Sequence, residues 1–406
     1  MHLYLRSGGR LAFVLPMAAL TRGQFERLRT GSFDSARIAW DEAWTMDDSV
    51  QPLFPVPSCA VFGRRRAISQ RLPETVRAYS GTLPLRDAPE AMADARLRVT
   101  ENAPALAVGT YEGGSAYRAS FRQGATLVPR MLCLVERRSV GRLGANPSAP
   151  LVASRRSTQE KKPWKDLSEI ENPVEAEFLR PVLLGESILP FRVFRVFEGV
   201  IPVNGKGDVL DAEAAANRGI DGLHGWMRKA EAVWKSNAGS GAMTLVGRWN
   251  YHNELGAQFP ARIIRVVYPK SGSQPAATLL QESSAVVDET LYWAAAAGKD
   301  EARYLVAILN SEAGRARAEQ YQSRGQWGAR DFAKVMFNLP IPRFDQANGL
   351  HRDLAEAAAD AERVAALVEL PDNVKFQRAR GLVRIALAAA GVAQRIDTLV
   401  ARLLDG

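Results

Sequence analysis

Apolar positions near the start of the chain fall in short continuous runs rather than helical stripes. Leu11-Ala12-Phe13-Val14-Leu15, stopped by Pro16, predicts a strand covered on both faces, as in a parallel sheet. Before it, His2 to Arg6 read as the last turn of a helix, and Gly8 and Gly9 supply the left-handed positions that end one. Ala18 to Arg29 predicts a helix with Leu20, Phe25 and Leu28 on one side. Further strands are expected near Ala36–Trp40 and Pro57–Gly63. Helix end, strand, helix, strand, loop, strand is the closing portion of a doubly wound α/β sheet whose opening portion is expected to lie outside this chain. Near the other end, Leu350 to Leu370 places Leu354, Ala358, Val364, Leu367 and Val368 broadly on one helix face. Pro371-Asp372-Asn373 breaks it, and helices follow over Phe376–Ala390 and Val392–Leu404. A cap packed on the rest of the chain and a docking surface for another protein both fit that tail.

Composition changes the picture in two ways. The 406 residues are 47% hydrophobic and 24% charged, which suits two or three globular domains. No apolar run approaches the ~18 residues needed to cross a bilayer, and no basic-then-apolar leader opens the sequence. A bacterial-type cytoplasmic location is expected, without a membrane partner. The net charge of +9 is concentrated. From Ser115 to Lys165 stand Arg118, Arg122, Arg130, Arg137, Arg138, Arg142, Arg155, Arg156, Lys161, Lys162 and Lys165, opposed only by Glu136 and Glu160. Such a block attracts phosphates through counterion release, or serves as a solvated basic face.

Candidate catalytic chemistry is sparse. Two cysteines, Cys59 and Cys133, do not make a disulfide framework, and His2, His224, His252 and His351 lack zinc-ligand spacing. Gly205-Lys206-Gly207 reads as a surface turn between Asn204 and Asp208 rather than a phosphate loop. No G-x-x-x-x-G-K-[ST] or G-x-S-x-G occurs. Asp41, Glu42, Asp47 and Asp48 cluster, yet no following lysine completes a metal-dependent nuclease site.

Two stretches carry a resemblance. "LRSGGRLAFVLPMAAL" followed by "PLFPVPSCAVFGRRR", and "YLVAILNSEAGRARAEQY" followed by "GQWGARDFAKVMFNLPIPRFD", resemble parts of the gamma-type adenine-N6 DNA methyltransferases of restriction–modification and phage-defence systems. "EAEFLRPVLLGESILPF" and "WNYHNELGAQFPARIIRVVY" are similar more loosely, so the matches touch most of residues 1–345. The resemblance implies an α/β remnant of a class I methyltransferase sheet (1–66), a connecting segment (67–110), an α+β target-recognition domain (111–345) and a helical tail (346–406). The family's F-x-G-x-G cofactor loop and its N-P-P-[YF] tetrapeptide occur nowhere in this chain; Asn172-Pro173-Val174-Glu175 departs at its third and fourth positions. The expectation is a DNA-reading part, inactive alone, with S-adenosylmethionine held only by a missing half or a partner catalytic subunit. A stand-alone specificity subunit is the alternative.

By that resemblance Phe54 stacks on a flipped adenine; as plain chemistry it packs on the sheet. Arg64, Arg65 and Arg66, with Arg118, Arg122, Lys161, Lys162 and Lys165, are candidate contacts to duplex DNA phosphates. Trp164, among those lysines, is either a stacking or a structural residue. Base reading needs Arg, Lys, Asn or Gln on elements that enter a groove, which selects Arg248 and Asn250, and Arg324, Gln326 and Arg330. The last three equally suit a loop buried within the specificity domain.

Overall fold

The structure is a computed structural model that describes residues 5–21, 25–47, 49–50, 52–54, 56–104, 114–141, 146–156, 160–260, 264–272, 274–319, 324–325, 328–329, 332 and 334–405. They form two compact units. The first comprises residues 1–116, 272–274 and 316–340, the second 117–271, 275–315 and 341–406. The helix end expected at His2–Arg6 lies mostly outside the described residues.

In the first unit, β1 (Arg10–Pro16) leads into α1 (Ala18–Thr21) and α2 (Glu26–Thr30). Then come β2 (Ser32–Phe33), β3 (Ala36–Met46), β4 (Ser58–Arg66), β5 (Thr75–Ser80), α3 (Glu90–Arg96) and β6 (Arg98–Pro104). The sheet order is β1-β4-β3-β5-β6. β4 is antiparallel to both β1 and β3, β5 is parallel to β3, and β6 is antiparallel to β5. β1 and β3 therefore run the same way, as a strand–helix–strand crossover requires, but an antiparallel strand separates them. The stretch read as connecting contributes β5 and β6. A bulge between Trp40 and Glu42 turns the indole of Trp40 over Gly63, where a Cβ would lie 2.7 Å from both Trp40 Cε3 and Ala39 O, so only glycine fits.

The expectation that the first strand is covered on both faces is corrected. Leu11, Phe13 and Leu15 pack with Ala19, Leu20, Ile38, Trp40 and Val61 in one core. Arg10, Ala12, Val14 and Pro16 face away and are exposed, Val14 to 57%. α1 and α2 pack on that first face, and among the described residues β1 has a single strand neighbour. On the sheet's other face Met46, Val50 and Ala60 gather a half-buried aromatic group of Trp44, Phe54, Phe62 and Tyr79.

The second unit holds β7 (Arg122–Gln123), β8 (Leu134–Arg137), β9 (Leu151–Ser154), β10 (Glu171–Pro173), β11 (Leu179–Leu183), β12 (Ile188–Leu189), β13 (Arg192–Val193), β14 (Phe197–Val200), β15 (Arg265–Pro269), β16 (Thr278–Leu280), β17 (Val286–Val287) and β18 (Leu291–Ala295). One sheet runs β10-β9-β8-β14-β11-β17 and another β16-β15-β18-β7. The helices are α4 (Ala212–Asn217), α5 (Asp221–Asn237), α6 (Leu245–Trp249), α7 (Lys299–Asn310), the start of α8 (Glu312–Ala318), α9 (Gly349–Leu367), α10 (Phe376–Ala389) and α11 (Val392–Asp405). α5 buries Leu223, Trp226, Met227 and Ala230, spaced to form one face, against the first sheet. Trp226 Nε1 donates to Leu132 O at 2.9 Å. α7 is buried all round from Tyr304 to Leu309, as a helix enclosed on every side must be.

That enclosure gives the LNSE stretch a structural role. Asn310 pairs with the backbone of Ala277 in both directions, at 2.8 and 2.9 Å, and Asp397 of α11 accepts the N–H groups of Glu312 and Ala313 that open α8. The tail packs on this unit: α9 and α11 lie against α7, and Arg303 of α7 pairs with Glu362 of α9 at 2.9 Å. No helix among the described residues is long and apolar enough to cross a membrane.

Arginines join the tail to the sheets through carbonyls rather than carboxylates. Arg192 donates to Ala365 O and Val368 O, Arg195 to Val374 O, and Arg384 to Pro275 O. Arg380, 7% exposed, donates from Nε to Ile188 O at 2.9 Å and from Nη2 to Gly185 O at 2.7 Å. Burial, with Arg384 nearby, brings Arg380 down to about 10. Arg380→Ala would strand two buried carbonyls, so a loss of about 3 kcal/mol in urea unfolding is expected. The exposed Arg378→Ala should stay within about 0.5 kcal/mol.

Asp288 is fully buried, and burial pushes its carboxyl up to about 6 against the opposing pulls of Arg130 and Thr290. Between the ordinary carboxylate value of 3.8 and about 6, the folded chain holds a proton that the unfolded chain has lost. The contribution is therefore present below that window and lost as pH rises through it, on the order of 3 kcal/mol. Asp288→Asn should remove this slope from unfolding free energies measured between pH 4.5 and 7; an unchanged slope would contradict the assignment.

Candidate nucleic-acid interface

The buried face of α5 continues one turn past Ala230 to Trp234, which is half-buried and reaches the surface. Its indole stacks on that of Trp164, with centroids 5.5 Å apart and planes 15° from parallel, and its Nε1 donates to Met243 O at 2.9 Å. Trp164 opens a short 3-10 turn after Pro163. Arg248, in the last turn of α6, holds its guanidinium carbon 5.9 Å from the Trp234 ring. With Arg130, Glu160, Lys161, Asn237 and Glu289 these side chains line a cleft of about 610 Å³. The indole pair offers a planar apolar wall, the cations meet negative charge, and the carboxylates and amide accept hydrogen bonds. A heterocyclic base with its phosphate satisfies all three.

Lys161, Trp164 and Arg248, from separate parts of the sequence, are thus brought together. Arg130, Glu160 and Trp234 join them without having been singled out as contacts. Trp234 could have been found, since it extends the α5 stripe by four residues; the cleft position of Arg130 left no sequence signal.

The other candidates are scattered. Several cations of the basic block are paired with carboxylates, most of these remote in sequence. Arg137 pairs with Glu198 at 2.7 Å, Arg138 with Glu169, Arg155 with Glu136 at 3.6 Å, and Lys162 with Asp166 at 3.4 Å. Arg118 is exposed. Arg122, Lys161 and Lys165 are exposed and make no ion pair among the described residues. In the first unit, Arg64 pairs with Asp41 at 3.0 Å, Arg65 donates to Leu5 O, and Arg66 is exposed. Phe54 sits in the aromatic group beside Met46 and Ala60.

Asn250 turns inward, its Oδ1 accepting the N–H groups of Leu255 and Gly256 at 3.2 and 2.9 Å. The residues projecting from that loop are Tyr251, 47% exposed, with His252 and Asn253, both left-handed at φ 50° and 61°. Arg324 belongs to a two-residue strand whose side chains are not described. Gln326 and Arg330 lie outside the described residues.

The carboxylates weighed as nuclease ligands are engaged separately: Asp41 by Arg64, Glu42 by the Trp44 indole at 2.7 Å, and Asp47 by Ser49 N at 2.8 Å. Asp48 is not described. Gly205–Gly207 is a closed turn, in which Asn204 Oδ1 accepts from Lys206 N and Asp208 N, each at 2.9 Å.

No family model and no curated protein matches the chain. Solved structures do. Over 97% of its length the chain superposes on 46% of the type IIL restriction-modification enzyme MmeI in complex with DNA, with a TM-score of 0.51 at 10% identity. The type IIG restriction endonuclease BpuSI aligns over 98% of this chain and 47% of its own, with a TM-score of 0.31 at 14% identity. The chain thus spans less than half of either enzyme, and shares the fold of the corresponding part of MmeI.

Proposed function

We propose that this chain is the DNA-recognition part of an adenine-N6 DNA methyltransferase of restriction–modification type. It binds duplex DNA and presents a flipped adenine to a catalytic half that it does not itself carry. The observation that carries the reading is the open sheet of the first unit: its first strand is apolar, has a single strand neighbour among the described residues and exposes one face, in a chain whose fold matches part of a restriction–modification enzyme solved with DNA. S-adenosylmethionine, which the sequence resemblance implies, does not fit the residues present. β1 passes through Pro16 and Met17 straight into α1 with no glycine turn, and the Gly205–Gly207 turn is closed on Asn204. In this reading the donor belongs to the other half. Phe54 stays beside the sheet to receive the flipped base, and the tryptophan cleft with Lys161 and Arg248 contacts the nucleic acid.

Fluorescence anisotropy on duplex DNA tests the reading. Binding should weaken steeply with salt, and Arg122→Ala combined with Lys161→Ala should lower the log–log salt slope by about 2 if both touch phosphates. No binding at roughly 50 mM salt would remove the proposal. Val14→Lys should leave DNA binding unchanged while blocking methyl transfer in a complex reconstituted with a catalytic half. A stand-alone specificity subunit would show no dependence on such a half.

A further inference from the structure

Arg130 differs from six other inward-turned arginines of the second unit. Arg180, Arg192, Arg195, Arg265, Arg380 and Arg384 each donate to at least one backbone carbonyl. The Arg130 guanidinium is only 14% exposed, yet among the described residues it donates no hydrogen bond, and its Nε is buried without a partner. Its nearest carboxylate oxygen, Asp288 Oδ1, lies 3.6 Å away and is already engaged by Thr290 N and Oγ1 at 3.1 and 2.7 Å. Asp288 balances the charge of Arg130, and its Oδ2 is likewise buried without a partner, but no hydrogen bond joins the two, so the guanidinium donors are left for another acceptor.

Arg130 lies between two cavities. One is the tryptophan cleft; the other, of about 170 Å³, is lined by Arg130, Gly185, Glu186, Ser271, Thr290 and Arg380, among others. Arg380 uses Nε and Nη2 on carbonyls, while its Nη1 has no partner and is not enclosed by protein atoms. No carboxylate pairs with it among the described residues. Two arginines with spare N–H groups thus line one small cavity, together with Ser271.

We propose that this cavity is a seat for a phosphate group, gripped by Arg130 and Arg380. Planar guanidiniums match the geometry of phosphate oxygens, and charge-assisted hydrogen bonds are roughly twice as strong as neutral ones. Glu186 lines the same cavity and Asp288 lies beside Arg130, and both oppose a second negative charge, so the seat favours a singly charged phosphate, the charge of a phosphodiester. The phosphate comes either from bound DNA, which deepens and rests on the proposed DNA recognition, or from a free phosphate ligand.

The test uses the full chain. Dimethyl phosphate and inorganic phosphate are titrated at constant ionic strength, followed by phosphorus NMR line broadening, against wild type and Arg130→Gln. Saturable binding at one site is expected for wild type, with preference over chloride, and a loss of about tenfold or more in the variant. No saturable binding to wild type overturns the proposal and needs no variant, so a misfolded Arg130→Gln does not hide the answer. Equal binding by a folded Arg130→Gln overturns it too. The source is read from duplex DNA: if the seat takes the backbone, Arg130→Gln lowers the salt slope by about 1 and dimethyl phosphate competes with DNA. If dimethyl phosphate binds while DNA affinity is untouched, the seat stands for a free phosphate ligand. If dimethyl phosphate binds and wild type binds no DNA at all, the seat stands and the DNA-recognition reading falls.

Discussion

The cleft depends on one buried helix face. Leu223, Trp226, Met227 and Ala230 fix the rotation of α5 about its axis, because each contributes on the order of 1.5–3 kcal/mol on burial for the larger side chains and any turn of the helix would expose all of them together. The Trp226 hydrogen bond to Leu132 O then fixes its translation. Trp234, four residues beyond Ala230, has no freedom left and must emerge beside Trp164. Leu132 lies only two residues from Arg130, so the same bond also sets where that guanidinium falls. The aromatic wall and the buried cation are thus positioned by the core rather than by loops, which suits a site needing geometric precision.

Charge is handled by three separate devices. Exposed arginines such as Arg137 meet carboxylates from distant strands, pairs that add little to stability and serve chiefly to cancel local field. Buried arginines such as Arg265 and Arg380 satisfy carbonyls at chain crossings, where burial lowers both to about 10 without discharging them at neutral pH. The remainder, exposed at Arg122, Lys161 and Lys165 or half-buried at Arg248, is what a polyanion meets. A net charge of +9 therefore overstates the attractive surface in some places and understates its organisation in others.

Much of the fold was legible because its signals are local. The strands at Leu11, Ala36 and Ser58 and the three tail helices start within a residue or two of their expected places, though the second of these strands runs six residues past Trp40 to Met46, since apolar periodicity and the Pro371-Asp372-Asn373 break act over short stretches. Pairing order was not legible. Nothing in the run from Ser58 to Arg66 says that it inserts between β1 and β3, because that choice is made by cross-strand packing of Trp40 over Gly63. The basic block misled for the same reason: counting charges along the chain cannot see Glu198 or Glu169 folding back onto Arg137 and Arg138. Asn250 had the right chemistry to read a base, but two backbone N–H groups five and six residues on claim its oxygen.

The two edges of the first sheet are built differently. β6 carries Arg98, Glu101 and Asn102 on exposed positions, breaks its pairing with a register shift near Val76, and ends at Pro104, each of which discourages another strand from adding. β1 also opens on an exposed Arg10 and closes at Pro16, but between them Ala12 and Val14 present an apolar, solvent-facing row, and among the described residues a single strand pairs with it. Covering β1 with an added strand would pair its free N–H and C=O groups. A helix over the bare face would bury Val14 along with the half-buried Phe62 and Trp44, and those gains scale with apolar area removed from water. An occupant that supplies both strand and helices is itself an α/β unit, which is the kind of partner the proposed division of labour between recognition and catalysis requires.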